Sequence, residues 1–359
     1  MTGPASQASA PKVAVVGATG AVGETMLAVL AERLGTRLEV HAVASAESLG
    51  RTAEFGKREL PVEVLDDFDF AGVDYALFSA GGSVSAEHAP RACAAGAIVI
   101  DNTSEFRYRD EFPLVVPEVN AHRLDGLGPG ALIANPNCST IQMVVALAPI
   151  HQAYGITRVN VATYQSVSGA GRKGLEELAR QTADRLNLRE VAPRAFDQAI
   201  AFNVLPSIDA LQDNGYTREE MKMHWETRKI FEDEDIAVNA TAVRVPVFYG
   251  HAEAVHLETR DAADLDAVRA LLDAAPGVRL VPDGDPGAIP TPVVHGAGRD
   301  EVWVGRLRKD FSHPRGIDLW VVSDNVRKGA ALNAVQILEA LEARQARGAG
   351  EASSSGAGA

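Results

Sequence analysis

The chain has 359 residues, with 34 lysines and arginines against 48 aspartates and glutamates, a formal charge of −14. That balance argues against a general binder of nucleic acid or anionic membrane, because neither polyanion gains counterion release or surface attraction from an acidic chain. With 46% apolar and 23% charged residues, the composition is that of an ordinary globular protein, long enough for roughly two domains of about 150 residues. The two cysteines, Cys93 and Cys138, fit neither a disulfide framework nor a zinc-finger spacing. The first residues lack the basic and apolar segments of a signal peptide, and no apolar run nears the ~18 residues of a membrane helix. A cytoplasmic protein without a metal is expected.

Residues 1–11 and 346–359 are rich in Ala, Ser and Gly and read as disordered tails. Between them, apolar runs at 12–17, 38–45, 74–80, 97–102, 114–119 and 131–136 read as strands of a parallel sheet covered on both faces. The stretch 21–34 sets Val22, Met26, Leu30 and Leu34 about one turn apart, the pattern of an amphipathic helix. A βαβ architecture follows. Beyond Cys138 come a helix over 139–154, a strand over 159–167 and a helix over 174–187. Alternating strands follow at 241–248 and 300–310, then a strand, turn and long helix over 318–344. That second pattern is α+β.

Four motifs carry chemistry. Gly17-Ala18-Thr19-Gly20-Ala21-Val22-Gly23 follows the first strand and opens the first helix. Glycines there let the backbone turn tightly and approach a pyrophosphate at the positive end of the helix, a GxxGxxG variant of the dinucleotide fingerprint. After the second strand, Ser45, Ser48 and Arg51 favour a 2′-phosphate while Glu47 repels one, which leaves NADP and NAD both open. Asn135-Pro136-Asn137-Cys138-Ser139-Thr140 places a cysteine at a helix start. The dipole and free N–H groups there are expected to lower the thiol pKa and to hold an oxyanion formed by attack on a carbonyl. In Thr241–His251, strand alternation turns Arg244 away from Val243, Val245 and Val247, and Gly250 allows a bend before His251. An arginine can clamp a carboxylate, and a histidine can take and give a proton. The fourth cluster, Glu219–Trp225 with distant Arg107, reads on composition as a helix surface.

Set side by side, GATGAVG, NPNCST, TYQSVSGAG, EEMKMHWET, RVPVFYGHAEAV and DNVRKGAALNAVQI resemble aspartate-semialdehyde dehydrogenase of the bacterial type, in the family's order over about residues 12–345. The resemblance implies an N-terminal Rossmann-like dinucleotide-binding domain (12–136 plus 325–345) and a second α+β catalytic and dimerisation domain (137–324). It implies Cys138 as nucleophile, His251 as general acid/base, and Gln165 and Asn137 beside the reacting carbonyl. Arg244 would hold the substrate carboxylate, Glu220 its amino group, and Arg107 and Lys222 the phosphate. For the cofactor it implies Gly17, Thr19, Gly20, Ala21, Val22, Gly23, Ser45, Ser48, Gly169, Gly171 and Asn325. The family commonly has an arginine where Glu47 stands, so NADP is implied with NAD kept open. The activity implied is NADPH-dependent reduction of aspartyl phosphate to aspartate semialdehyde with release of phosphate. It lies on the route to lysine through diaminopimelate, and to threonine, methionine and isoleucine, carried out by a homodimer or homotetramer. N-acetyl-γ-glutamyl-phosphate reductase is the nearest competitor, and a non-catalytic dinucleotide sensor the competitor of another class.

Overall fold

The computed structural model describes residues 10–282, 284 and 286–355. The first unit runs β1 (Lys12–Val16), α1 (Ala21–Arg33), β2 (Glu39–Ala44), β3 (Thr52–Phe55), β4 (Arg58–Val64), β5 (Tyr75–Phe78), α2 (Gly82–Ala94), β6 (Ile98–Asp101), α3 (Pro117–Asn120) and β7 (Leu132–Ala134). Its seven-stranded sheet has the order β3-β4-β2-β1-β5-β6-β7. All pairs are parallel except β3 with β4. The parallel part is the doubly wound order, whose direction reverses between β1 and β5, the place where such sheets take a ligand.

The second unit runs α4 (Cys138–Tyr154), β8 (Ile156–Gln165), α5 (Arg172–Leu186), α6 (Arg218–Phe231), β9 (Ala237–Arg244), β10 (His251–Thr259), α7 (Leu265–Ala274), β11 (Val278–Leu280), β12 (Val302–Lys309) and β13 (Gly316–Ser323). Its mixed sheet has the order β11-β12-β13-β10-β8-β9. A wide turn, Arg327–Leu332, then leads into α8 (Asn333–Ser355). α8 returns to the first sheet, where Val335, Ile337, Leu338 and Leu341 share one apolar cluster with Val13, Val15, Leu77 and Ile100.

The helix α4 lies between the two sheets. Ile141, Val144, Val145 and Leu147 belong to a cluster that includes Val16, Phe78 and Val99 of the first sheet and Val159, Val255 and Val321 of the second. Nearly every residue from Ser139 to Ile150 is buried, as a helix covered on all sides must be. Truncating one of its large side chains, Leu147 for example, is expected to cost about 2–5 kcal/mol.

Three sequence expectations change. The run 114–119 is not a strand: Leu114 makes a single bridge to Ala134, and Pro117 occupies the first position of the short α3, where its missing N–H costs nothing. The strand expected over 241–248 ends at Arg244. The C-terminal tail expected from residue 346 continues as helix to Ser355, and residues 356–359 lie outside the described residues, as do 1–9. The β3–β4 hairpin, α2 and α7 were not anticipated. Among the described residues no helix is long and apolar enough to cross a membrane, and no set of three or more ligating side chains could hold a metal.

Candidate active site

At the end of β1 the chain turns through Gly17 with φ 89°. A Cβ there would stand 2.9 Å from the Ser79 carbonyl group beyond β5, and one on Gly23 would stand 2.1 Å from Gly17 O. Only glycine allows the turn, the strand end and the helix to meet this closely. Gly20 precedes α1 and caps it with no side chain, so the first N–H groups, in the turn carrying Ala21, Val22 and Gly23, lack a side-chain acceptor. Such a start suits a pyrophosphate. Thr19 Oγ1 meets the buried Ser48 Oγ at 3.2 Å, which ties the glycine turn to the loop after β2. Ser45, Glu47 and Arg51 on that loop are exposed, and Arg51 and Thr19 share a groove of about 670 Å³ beside the turn.

Cys138 opens α4, with Asn137 as its cap. Asn137 Oδ1 accepts the N–H of Ser139 at 3.0 Å and of Thr140 at 3.4 Å. Those two N–H groups are therefore committed to the cap and are not free to hold an oxyanion. A Cβ on Gly329, in the wide turn before α8, would lie 2.7 Å from Cys138 Cβ, so a glycine is required where that turn rests on Cys138. Burial and the charge of Glu219 push the thiol up to about 12, against the pull of Arg244, Lys222 and Arg107. The lowered thiol expected from the helix start is not found: desolvation and a neighbouring carboxylate raise it instead.

Gln165 ends β8 and Arg244 ends β9, paired in register; His251 begins β10. All three are buried. His251 Nδ1 accepts the backbone N–H of Ser166 at 3.1 Å and lies 3.0 Å from Ser166 Oγ. A backbone N–H can only donate, so the neutral ring carries its proton on Nε2, an atom with no partner among the described residues. Burial and the Arg244 cation hold this imidazole down at about 3. Arg244 Nη1 donates to Ser166 O at 2.9 Å, and its guanidinium has no salt-bridge partner among the described residues. A Cβ on Gly169 would stand 2.7 Å from that Nη1 and 3.5 Å from His251 Nε2. Gly171, with φ 71°, caps the start of α5. Asn325 Oδ1 accepts from Ser166 Oγ, Ser168 Oγ and Gly250 N, holding the serine loop against the bend before His251.

The helix α6 supplies the acidic side. Glu219 Oε1 accepts from Asn137 Nδ2 at 3.0 Å and Gln165 Nε2 at 3.1 Å, and Oε2 accepts from Lys222 Nζ at 2.9 Å. Although burial opposes ionisation, Lys222 and these amides hold Glu219 at about 2. Glu220 is elsewhere. One oxygen accepts Thr217 N and the other Ala242 N, completing a capping box, so both oxygens are committed to backbone, and Glu219 is the carboxylate of the two that meets Asn137 and Gln165. Gln165 Nε2 is given to Glu219 and Thr163, which fixes that amide beside the carboxylate. Lys222 also pairs with Asp209 at 2.8 Å, and Arg107 with Glu226 at 3.1 Å.

The sequence leaves Glu219 in the fourth cluster without a role of its own and gives none to Glu226 or Gly329. A signal existed for the first: Thr217-x-x-Glu220 is a capping-box pattern that assigns Glu220 to the helix start and leaves residues 219, 222 and 226 on one face.

The site holds a thiol, a neutral imidazole, an unpaired guanidinium and a carboxylate, in a chain that also carries a dinucleotide-type turn. A family model described as "Semialdehyde dehydrogenase, NAD binding domain" matches residues 12–127, and one described as "Semialdehyde dehydrogenase, dimerisation domain" matches residues 147–328. Aspartate-semialdehyde dehydrogenase of Legionella pneumophila is 58% identical over 92% of this chain and 95% of its own. Aspartate-semialdehyde dehydrogenase 2 of Vibrio cholerae is 56% identical over 92% and 97%. The solved structure of aspartate semialdehyde dehydrogenase II from Vibrio cholerae complexed with ASA superposes with a TM-score of 0.89 at 54% identity, over 93% of this chain and 98% of that one. That of the Candida albicans enzyme with NADP gives 0.73 at 25% identity, over 94% and 99%. The chain belongs to the aspartate-semialdehyde dehydrogenase family of oxidoreductases.

Proposed function

We propose that this chain reduces L-aspartyl 4-phosphate to L-aspartate 4-semialdehyde through a thioester on Cys138, with NADPH as the reductant, in the cytoplasm and as a homodimer or homotetramer. The observation that carries this reading is the pairing of opposite charges around one thiol: the Arg244 guanidinium awaiting an anion, and Glu219 able to receive an ammonium. An α-amino acid brings both groups. An N-acylated substrate would leave Glu219 facing a neutral amide, which speaks against N-acetyl-γ-glutamyl-phosphate reduction; a sensor would need no such thiol.

With the carboxylate on Arg244, the ammonium on Glu219 and the phosphate toward Arg107 and Lys222, the acyl carbon is brought to the thiol. The substrate also retunes the site. Its ammonium offsets Glu219, the charge that raises the thiol, and its carboxylate offsets Arg244, the charge that lowers the imidazole. Both changes favour proton transfer from sulfur to His251. To accept that proton at Nε2 the ring first moves its own proton to Nδ1, where it is given to Ser166 Oγ and the bond from Ser166 N–H is lost. Cys138 then forms the S–C bond as the C–O bond to phosphate breaks. Gly17, Gly20 and Gly23 would hold a nicotinamide dinucleotide, which supplies the hydride that brings the thioester to the aldehyde level when bound. Collapse returns the thiolate. The preference for NADP rests on Ser48 and Thr19, joined at 3.2 Å, and on Arg51 beside the glycine turn, which supply hydroxyls and a cation against the opposing Glu47.

The test is an assay in the reverse direction with aspartate semialdehyde, phosphate, and NADP or NAD, following nicotinamide absorbance. Phosphate-dependent reduction of NADP is the expected result, and no signal with either nucleotide from folded protein overturns the reading.

A further inference from the structure

Glu226, fully buried on α6, touches both ends of the site. Its Oε2 accepts the backbone N–H of Asn137 at 2.6 Å, one residue before the nucleophile. Its Oε1 accepts from Arg107 Nη1 at 3.1 Å and from the Tyr108 hydroxyl at 3.2 Å. The second Nη of Arg107 is fixed by Asn102 O at 2.8 Å. Lys229, three residues on along α6, donates to the carbonyls of Arg107 and Arg109 at 2.9 and 2.7 Å. One helix therefore holds the side chain of Arg107, its backbone, and the turn that carries Cys138.

We propose that Glu226 is a positioning residue that sets the guanidinium of Arg107 in register with the Cys138 turn, and so governs the use of phosphate without governing the use of the aldehyde. The proposal rests on Arg107 being a phosphate residue. The physical reason is the number of acceptors. Asn137 N–H, the Arg107 guanidinium and the Tyr108 hydroxyl are all donors, and a carboxylate has two acceptor oxygens to serve them. An amide has one oxygen and turns an N–H₂ toward a donor, so Asn137 N–H and Arg107 can no longer both be held, and the register between them is lost on either side. The amino-acid end of the substrate meets Arg244 and Glu219, and Glu226 reaches Glu219 only through the backbone N–H and the side chain of Asn137.

The test uses the full-length enzyme in the phosphate-dependent direction, with Glu226→Gln, Glu226→Asp, Arg107→Gln and the double variant Arg107→Gln/Glu226→Gln. Two readouts are taken: the KM for phosphate against the KM for aspartate semialdehyde, and the phosphate concentration that half-protects Cys138 from iodoacetamide. Glu226→Gln is expected to raise the phosphate KM and the half-protecting concentration at least about tenfold, a coupling of ordinary size for contacting charged groups. The aldehyde KM should stay within about twofold, below what such a coupling produces. In the Arg107→Gln background the further change should nearly vanish, because the effect runs through Arg107. Glu226→Asp keeps the charge but draws it back by one methylene, and is expected to fall between. If Glu226→Gln does not fold, Glu226→Asp carries the same comparison. Equal rises in both KM values, additivity in the double variant, or an unchanged phosphate KM in both single variants at Glu226 overturn the positioning role. An unchanged phosphate KM in Arg107→Gln overturns the assignment of Arg107 itself, and the proposal with it.

Discussion

Among the helices that begin just after a strand of the first sheet, α1 and α4 use the position in opposite ways. At α1 the cap is Gly20, with no side chain to offer, so the N-terminal N–H groups and the helix dipole are left for an external anion. At α4 the cap is Asn137, whose carboxamide takes the N–H groups of Ser139 and Thr140. That start is closed. It places a sulfur atom, while the local charge comes from side chains on other elements, Arg244, Lys222 and Arg107 against Glu219. Similar local geometry thus serves ligand capture in one place and residue placement in the other, and the cap residue decides which.

The contrast can be broken experimentally. If α4 exists to place a sulfur, Cys138→Ala should abolish turnover while leaving the fold and dinucleotide binding intact; substantial residual activity would falsify the nucleophile assignment. If side-chain charge rather than the dipole governs that sulfur, Glu219→Gln should make it more reactive even as catalysis fails. With the wild-type thiol pushed up to about 12, the thiolate fraction and the iodoacetamide rate should climb about tenfold per pH unit from pH 7 to 10. Removing the anion lowers the thiol pKa and moves that curve toward lower pH, while kcat/KM drops by the about 2–5 kcal/mol of a lost charge partner. A curve that stays put, or moves upward, would remove Glu219 from control of the thiol. At α1, Gly23→Ala places a methyl against Gly17 O and should weaken dinucleotide binding by about 1–3 kcal/mol through overpacking, with Cys138 alkylation unchanged; titration of nucleotide fluorescence reads it. The smallest effect is expected for uncapping α4: Asn137→Ala should cost about 1 kcal/mol of stability, seen in the denaturant midpoint, and a neutral result would mean that the cap is redundant.

The legible parts of the sequence were those in which one local rule decides. GATGAVG after a β-rich run could be read because glycines at that spacing have few other uses, and the structure shows the sub-3 Å approaches that exclude a Cβ. Cys138 was visible as a helix-start residue for the same reason. What stayed hidden depended on partners distant in the chain. Glu219 and Glu220 are neighbours of one residue type, and the choice between them is made by Thr217 and by Ala242 of β9. The thiol's protonation is set by burial and by a carboxylate 81 positions away in the numbering from 138 to 219. The run 114–119 misleads because Val and Leu score as strand while Pro117 begins a helical turn.

One consequence of α4 reaches beyond catalysis. Because its side chains complete the apolar interior of both sheets, the boundary drawn between a nucleotide half and a substrate half passes through a shared wall. Cutting the chain there would strip each piece of half its lining, so the two halves are bound to melt as one cooperative body. The amides of Ile141 to Ala148 should be among the last to exchange with solvent, and the nucleophile, riding on the first turn of that wall, inherits its rigidity.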